Sequence, residues 1–362
     1  MKKFTLLSFI VSGSRLVMAA LLIIGTSALR AQTVGDSFTT ADGLMCTVAS
    51  DVQSASVTVT GGSFANNILS IPATVENGGT AFAVTAIADE AFKGSDIVTL
   101  DLTAATNLQR IGVSAFAECK KLETVTFPAA AESQLTEIGA LAFHHAYALK
   151  KINIEETRLK VLESLFSKND RDEISIVGLT ELRLPETLCE IKTYALQFLD
   201  ITEIEIPSGV TTFADRVLEG CIYLEKVIWM GCQLTSIPKK TFLGDDKLKC
   251  VTIITKSPLE PDGLTDKHFF MCDKEVLQVI LTPESIESLA TAGYTNETSV
   301  YSTLVPWSGD PNSIESIKTT PQAEEAIMTN CDGAWYTLQG SRVDSPRKGR
   351  LYIHNGRKVV VK

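Results

Sequence analysis

Apolar residues recur along most of the chain in a unit typified by Leu108–Pro128, which reads L-x-x-I, then A-F-x-x-C, then L-x-x-V-x-F-P. Large apolar anchor residues repeat at one position of this unit, with spacings of 24, 27, 23, 30, 22 and 24 residues. The anchors are Phe92, Phe116, Phe143, Phe166, Leu196, Leu218 and Phe242. One repeat of this length cannot close its own core, so neighbouring repeats must stack. The pattern therefore predicts one elongated solenoid with a continuous apolar column.

Each unit ends in a short alternation of apolar and polar residues that is typical of a β-strand. The alternations are Val98–Leu102, Val125–Phe127, Ile152–Ile154, Leu182–Leu184, Ile204–Ile206, Val227–Trp229 and Val251–Ile253. Equivalent strands of stacked repeats lie side by side, so we predict a parallel strand ladder. The expected fold is an α/β-type repeat solenoid, mostly β, wound as a right-handed superhelix with about seven repeats over 84–256.

The pleat of each strand sends alternate side chains to opposite faces, which defines an outward row beside the apolar column. We predict that this row binds a partner. Its residues are Asp101, Thr126, Asn153, Arg183, Glu205, Ile228 and Thr252. Most are polar, but Ile228, Met230 and Ile254 make the last part apolar. Such a patch marks a contact site or lies beneath a C-terminal cap, and the sequence leaves both interpretations open.

Segments without the repeat flank the array at both ends. A β-rich N-terminal cap is expected over 32–83, because a terminal coil must shield its apolar end. A C-terminal cap is expected over 257–307, with a short helix over Pro283–Gly293 that begins at proline and ends at glycine. Polar residues with Gly and Pro predict a linker over 308–333. A separate β-hairpin unit is expected over 334–362.

The first 31 residues predict a signal peptide, because Lys2 and Lys3 precede an interrupted apolar stretch that ends in Val17–Ile24, with cleavage expected after Ala31. No uninterrupted apolar run approaches the ~20 residues that span a bilayer. Loss of the four basic residues of this segment changes the net charge from −10 to −14. An acidic exported protein is a poor partner for nucleic acid. We expect an exported monomer at the outer surface or secreted, with the periplasm as the alternative.

The cysteines and histidines predict no cofactor and no metal site. Cys119 and Cys221 share one repeat position, three residues after an anchor, which favours buried thiols over disulfides. The other six cysteines lack the spacing of zinc ligands. His144-His145 is interpreted as a loop dipeptide, since adjacent side chains point apart. No nucleophile–base pattern or phosphate-binding loop is present in the sequence.

The repeat resembles the BspA-like class of leucine-rich repeat, which is marked by A-F-x-x-C followed by L-x-x-I-x-I-P. Ala115-Phe116, Cys119 and Leu122–Pro128 carry this pattern, and the resemblance covers roughly Val84–Thr255. Leu196 and Leu218 depart from it in place of Phe. The resemblance implies a bacterial surface or secreted protein, often an adhesin or a host-protein binder, without known catalysis.

The last residues resemble the C-terminal sorting segments of proteins that Bacteroidetes export. The likeness rests on Tyr336–Val343, on Lys348–Ile353 and on the terminal basic and apolar strand. Asn355-Gly356 between alternating strands predicts a hairpin. The segment is too short for a sizeable core, so we expect it to serve export or attachment.

Three functions are consistent with the sequence. The leading hypothesis is a non-enzymatic scaffold whose ladder binds a protein or glycan on a host or neighbouring cell. The second is a hydrolase with a site assembled across coils, for which Glu203 and Glu205 offer two carboxylates on one strand face. The third is a structural envelope protein whose repeats hold the termini apart.

Overall fold

A computed structural model describes residues 32–50, 54–166, 178–270, 272 and 274–307, together with the backbone of four short C-terminal strands. The predicted signal peptide over 1–31, the residues that follow Phe166 up to 177 and the predicted linker over 308–333 lie outside this part of the chain. The described chain is mostly β, with very little helix, and winds into about ten turns. The predicted solenoid is therefore confirmed.

The N-terminal strands begin the solenoid. They are β1 (Ser37–Thr39), β2 (Leu44–Ser50), β3 (Ser56–Gly62), β4 (Ile68–Ser70), β5 (Thr74–Asn77) and β6 (Thr80–Ile87). β1, β2 and β3 pair antiparallel, whereas β3 pairs with β6 in parallel. The change from antiparallel to parallel pairing at β3 is where the cap becomes a coil.

Strands on one face of the coils form the predicted ladder, here called the first ladder. Its strands are β4, β7 (Thr99–Asp101), β9 (Thr124–Thr126), β11 (Lys151–Ile152), β14 (Glu203–Glu205), β16 (Lys226–Cys232), β17 (Cys250–Thr255), β18 (Gln278–Leu281) and β19 (Thr303–Pro306). All neighbouring pairs in it are parallel. The ladder continues through β18 and β19, so the region predicted as a C-terminal cap contains two further ladder strands.

The strand predicted at Leu182–Leu184 is absent, and the first ladder is interrupted there between β11 and β14. Leu182 and Leu184 still point inward and are buried. This coil is the longest, with 30 residues between Phe166 and Leu196. The apolar alternation fixes which side chains face the core, but the longer path of this coil does not bring its backbone into ladder pairing.

A second parallel ladder, which the sequence did not predict, runs along another side of the coils. It comprises β3, β6, β8 (Arg110–Ile111), β10 (Glu137–Ile138), β12 (Val161–Leu162), β13 (Glu190–Ile191) and β15 (Thr212–Phe213). It too divides into two sheets, between β10 and β12. Both ladders are thus interrupted in the middle of the solenoid, and we call this region the seam.

The third side of each coil is the turn around the anchor residue. The rings of Phe92, Phe116 and Phe143 stack with centroid separations of 5.6 and 5.8 Å, and Phe166 continues the stack at 6.2 Å. Leu196 and Leu218 occupy the anchor position in the following coils and are fully buried. The anchor assignments are confirmed. One contiguous cluster of buried residues extends from Leu44 to Leu304, so the seam does not divide the core.

The C-terminal coils contain the only α-helix of the described residues, α1 (Pro283–Thr291). The hydroxyl of Thr282 accepts a hydrogen bond from the backbone of Ser285 at 3.2 Å, and proline occupies the first turn, as the sequence predicts. Leu289 is buried, whereas Ala290 is exposed. Two short 3₁₀ turns lie at Ile154–Glu156 and Asp266–His268.

The C-terminal unit forms a four-stranded antiparallel sheet. Its strands are β20 (Trp335–Tyr336), β21 (Arg342–Val343), β22 (Leu351–His354) and β23 (Arg357–Val360), in the order β21-β20-β22-β23. β22 and β23 pair antiparallel, as the hairpin pattern predicts. The sheet contains two more strands and two more strand pairings than the predicted hairpin alone.

Candidate partner-binding surface

The outward positions of the first ladder form the candidate surface, here called the outer face. In β7, β9 and β11 the central or inward residues Leu100, Val125 and Ile152 are buried. The residues on either side of them point away from the core because the pleat alternates. Thr99, Thr124 and Lys151 lie in register on neighbouring strands, as do Asp101 and Thr126. The outward row predicted from the sequence is therefore aligned in this half of the solenoid, and a second outward row runs beside it.

Several predicted site residues already serve the solenoid. The Asp101 carboxylate accepts hydrogen bonds from the backbone and hydroxyl of Thr103, at 3.0 and 2.6 Å. The Asn153 side chain accepts from Phe127 N at 2.7 Å and donates to Phe127 O at 3.3 Å. This bidentate contact ties one coil to the next just where β9 and β11 end. A partner that competed for Asn153 would loosen that connection.

A groove opens on the outer face at the seam. Its volume is about 450 Å³. It is lined by residues of β9, of β11 and its following 3₁₀ turn, and of the unpaired segment before Leu184, among them Thr126, Asn153 and Arg183. Three of the seven predicted site residues thus meet in one concave site. The interrupted ladder explains its position, because no strand of the described residues lies beside β11 on that side.

The charges around the groove are only partly neutralised by one another. Lys150 pairs with Glu123 at 2.9 Å. Lys151 and Arg183 are exposed, and neither forms an ion pair with a described residue. Two exposed cations at the rim can therefore donate hydrogen bonds to a ligand.

Glu155 contributes an acidic group to the same groove. Its Oε2 atom is buried without a hydrogen-bond partner among the described residues. Burial raises the pKa of the Glu155 carboxyl above its usual value, and the nearby charge of Arg183 partly opposes this shift. The groove consequently combines the two cations with the exposed carboxylate of Glu181 and with the Glu155 carboxyl group, whose pKa is raised.

Toward the C-terminus the outer face changes from polar to apolar, and two predicted site residues are not accessible. Ile228 is only 6% exposed and Thr252 is fully buried, so the expectation that they face a partner is wrong for the protein in this structure. Ile228 belongs to a cluster with Met230, Cys250, Ile254 and Ile280, on which Val305 and Trp307 pack. The sequence reveals which way these residues point but not what covers them.

Glu205, the remaining predicted residue, lies on β14 between the two regions and is half-buried. It aligns with Ile228 on β16. Its neighbour Glu203 pairs with Lys226 at 2.9 Å. The two glutamates of the hydrolase hypothesis thus share a strand face, and one of them is held in an ion pair.

The two cysteines predicted as buried thiols are confirmed. Cys119 and Cys221 are buried and free, and their Sγ atoms donate to the carbonyls of Phe92 and Leu196 in the preceding coils, at 3.2 and 3.1 Å. Cys46, Cys189, Cys232 and Cys272 are also free. Cys250, however, is disulfide-bonded. The sequence left the state of Cys250 open, and this residue lies on the apolar part of the outer face.

Three of the four histidines lie in turns of the coils, and the fourth, His354, ends β22. The rings of His144 and His145 stack on each other with a centroid separation of 3.8 Å. His268 is buried, and its Nε2 lies 2.9 Å from the carbonyl oxygen of Ile237. In the ranges that the structure covers, no helix has the length and apolar character needed to cross a membrane.

The repeat defines the class of protein to which this solenoid belongs. A family model described as BspA type leucine rich repeat region matches six copies, over residues 85–177 and 173–301. The chain belongs to the BspA-type leucine-rich repeat family. The match extends beyond the predicted end of the array at 256, in agreement with the continuation of the ladder through β18 and β19.

Solved structures of bacterial leucine-rich repeat proteins resemble the chain. A leucine rich repeat protein of T. pallidum is 22% identical, over 58% of this chain and 90% of that one, with a TM-score of 0.41. A leucine rich cell surface protein of Faecalibacterium prausnitzii is 17% identical, over 78% and 98%, with a TM-score of 0.38. Scores this low carry no argument about function. A search of curated protein sequences finds no match.

Proposed function

We propose that this protein is an exported, non-enzymatic scaffold that binds an extended ligand, a glycan chain or a peptide segment of a surface protein, on the outer face at the seam. The observation that carries the proposal is the groove beside β11, with exposed Lys151 and Arg183 at its rim and no ion pair between them and the described residues. A ligand that supplies carboxylate or other acceptor oxygens can form charge-assisted hydrogen bonds with these two exposed cations, and it gains affinity there.

The size of the polar outer face favours an extended ligand. It spans the coils from β7 to β14, which is five coils at about 4.8 Å spacing, and each strand contributes about 10 Å of length. The resulting area is on the order of 200 Å², well below the roughly 800 Å² that each partner of a typical protein–protein complex buries. A folded protein would need further surfaces, whereas a sugar chain or an extended peptide fits this strip.

Two features support export. The first 31 residues have the pattern of a signal peptide. Cys250 is disulfide-bonded, and disulfides persist mainly in oxidising compartments outside the cytosol. The sorting-like C-terminal segment is the basis for proposing the outer surface as the destination.

The proposal is tested by binding the purified protein to a glycan array and to a panel of immobilised matrix proteins and their peptides. The test variant carries Lys151→Glu and Arg183→Glu. The matched control carries Arg158→Glu and Lys160→Glu, which make the same charge change at exposed positions just before β12 of the second ladder. We expect the test variant to lose at least tenfold in affinity for a probe that the wild type binds, and the control to lose less than twofold.

Two outcomes contradict the proposal. The first is equal loss in the test and control variants, which would indicate general electrostatic attraction. The second is a probe that binds the wild type and both variants alike, which would place the binding surface elsewhere. Circular dichroism of each variant shows whether the solenoid is retained.

A further inference from the structure

The apolar part of the outer face is built to be covered. On β16 and β17, core residues such as Trp229 and Ile253 alternate with outward Met230 and Ile254, so both faces of these strands are apolar. Strands with this composition occur where a sheet is buried on both sides. We call the outward cluster of Ile228, Met230, Cys250, Ile254 and Ile280 the apolar platform.

The described residues that pack on the platform are too few to bury it. Ile228, Met230 and Ile280 are at most 6% exposed. Val305 and Trp307 lie at one margin, since Trp307 N donates to Leu281 O of β18. Ile228 is on β16, two strands beyond β18, which is about 10 Å further across the sheet. Side chains at that margin do not reach so far, so another covering element is needed.

The state of the cysteines indicates which segment of the chain covers the platform. The chain has eight cysteines, of which six are free thiols and Cys250 is disulfide-bonded. Cys331 is the one cysteine that remains as its partner within the chain. We propose that Cys250 and Cys331 form a disulfide and that the C-terminal unit, residues 334–362, docks on the apolar platform.

The chain length permits this connection. Trp307 and Cys331 are 24 residues apart, a segment that extends to about 80 Å at 3.3 Å per residue. Trp307 stands beside β18 and Cys250 at the start of β17, so the distance to be bridged is on the order of 15 Å. The segment therefore reaches Cys250 with slack.

The chemistry of the C-terminal unit suits the platform. A sheet of four short strands buries too little apolar surface to be stable alone, and Cys331 lies four residues before β20. The last 21 residues contain seven basic side chains and one acidic one. Glu203 and Glu205 on β14 border the platform, so the docked unit would bring opposite charges together.

Formation of the bond requires an oxidant of the cell envelope. The Cys250 and Cys331 thiols lose two protons and two electrons as the S–S bond forms. A disulfide-bearing oxidoreductase accepts them, and its own disulfide is reduced to two thiols. The stacked coils hold Cys250 in place before this step, and Cys331 is brought to it by the chain that follows Trp307.

Peptide mapping tests the disulfide directly. The full exported chain is denatured without reductant, alkylated and digested with trypsin. We expect peptide 250–256 linked to peptide 319–342, and two more alkylated cysteines after reduction than before. Alkylation of Cys250 without reduction, linkage of Cys250 to another peptide, or a disulfide-linked dimer on a non-reducing gel would overturn the proposal.

Docking is tested by the rate at which trypsin cuts after Arg347, Lys348 and Arg350 in the full chain. Ile254→Glu places a charge on the platform, and Ile68→Glu is the matched control, because Ile68 is an apolar residue of the same ladder that is 47% exposed. We expect cleavage at least tenfold faster in Ile254→Glu and unchanged in Ile68→Glu.

A second variant keeps this test decisive where Ile254→Glu unfolds the coils. Cys331→Ser removes the tether without touching the solenoid, and Cys189→Ser removes an exposed free thiol as its control. Faster cleavage in Cys331→Ser alone supports docking through the disulfide. Equal cleavage rates in wild type, Cys331→Ser and a folded Ile254→Glu would show that the unit is not docked.

Discussion

Most turns around the anchor residues contain two residues in the left-handed backbone region. Two residues before the anchor, Ser114, Leu141 and Arg216 have φ values of 54, 60 and 61°. Two residues after the anchor, Gly94 and Gly220 have φ values of 70 and 76°. L-residues pay roughly 1–2 kcal/mol for this conformation, so each coil stores a small local cost that stacking of the neighbouring coils offsets.

Two of these glycines offer a matched comparison. A Cβ at Gly94 would meet no atom within 4 Å, whereas a Cβ at Gly220 would lie 2.5 Å from the ring of Phe198. We expect Gly94→Ala to destabilise the protein by about 1 kcal/mol through φ strain. Gly220→Ala should cost about 1–3 kcal/mol more, because the ring must move. Urea unfolding measures both, and equal costs would show that Phe198 yields freely.

Asp245 is the residue at which one coil departs from the repeat. It stands three residues after Phe242, where Cys119 and Cys221 stand in other coils. It is fully buried, and its Oδ1 accepts a hydrogen bond from Cys221 N at 2.9 Å, while Oδ2 has no partner among the described residues. Burial raises the pKa of the Asp245 carboxyl well above its usual value of 3.8.

This shift predicts how stability depends on pH. Since the folded-state pKa exceeds the unfolded one, the stability that Asp245 contributes is fully present below about pH 3.8 and is lost as pH rises toward the folded-state pKa. Asp245→Cys restores the residue of the repeat and removes the buried acid. We expect it to stabilise the protein by about 1–3 kcal/mol at pH 8, with a gain that shrinks at acidic pH. Unfolding under reducing conditions at several pH values checks this, and a gain independent of pH would contradict it.

Residue types at the repeat positions were predictable, whereas their individual partners were not. The anchors, including the substitutions Leu196 and Leu218, follow from spacing alone. The sequence did not identify Phe269 as an anchor, because the L-x-x-I pattern around it is weak. In the structure its ring stacks on that of Phe242 with a centroid separation of 5.2 Å. The disulfide of Cys250 could not be inferred from its own repeat, since its partner lies outside the repeats.

At the scale of elements, the first ladder was predictable because three or more alternating residues in each strand report the pleat. The second ladder was not, because strands such as β8 and β10 contain two residues each. Two residues are too few to show a period. The missing strand at Leu182 shows a second limit of prediction from sequence. The alternation there correctly specifies which residues are buried, but it does not specify how the backbone pairs.

The anchor stack predicts the cost of losing an aromatic ring. Phe116 is fully buried between Phe92 and Phe143. We expect Phe116→Ala to destabilise the protein by roughly 3–5 kcal/mol, the range for a large buried aromatic residue. Phe270→Ala is the control, because Phe270 is 50% exposed and should cost less than about 1 kcal/mol. Denaturant titration distinguishes the two, and a cost below 1 kcal/mol for Phe116→Ala would refute the stack as the core.

At the scale of the whole molecule, the outer face has two regions with different chemistry. From β7 to β14 it is polar and carries the groove at the seam, whereas from β16 to β18 it is apolar and buried. The sequence predicted the outward row along its full length, and five of its seven residues lie in the polar region. The groove itself could not be predicted, because it arises where the ladder is interrupted.

The apolar and polar regions of the outer face are suited to two different roles. The apolar region serves the proposed docking of the C-terminal unit, and the polar region remains for a partner. Both ladders are interrupted at the seam, yet the apolar core is continuous through it. The groove is therefore held by a rigid column of packed side chains, which lowers the entropic cost of binding.

Site-specific photo-cross-linking tests the central claim, that partners bind the outer face. A benzophenone side chain replaces Thr126, at the groove, or Thr136, an exposed residue just before β10 of the second ladder. Each variant is irradiated with the highest-affinity probe from the glycan and matrix arrays. We predict a cross-linked product from position 126 and little from position 136. Cross-linking at 136 without cross-linking at 126 would contradict the account.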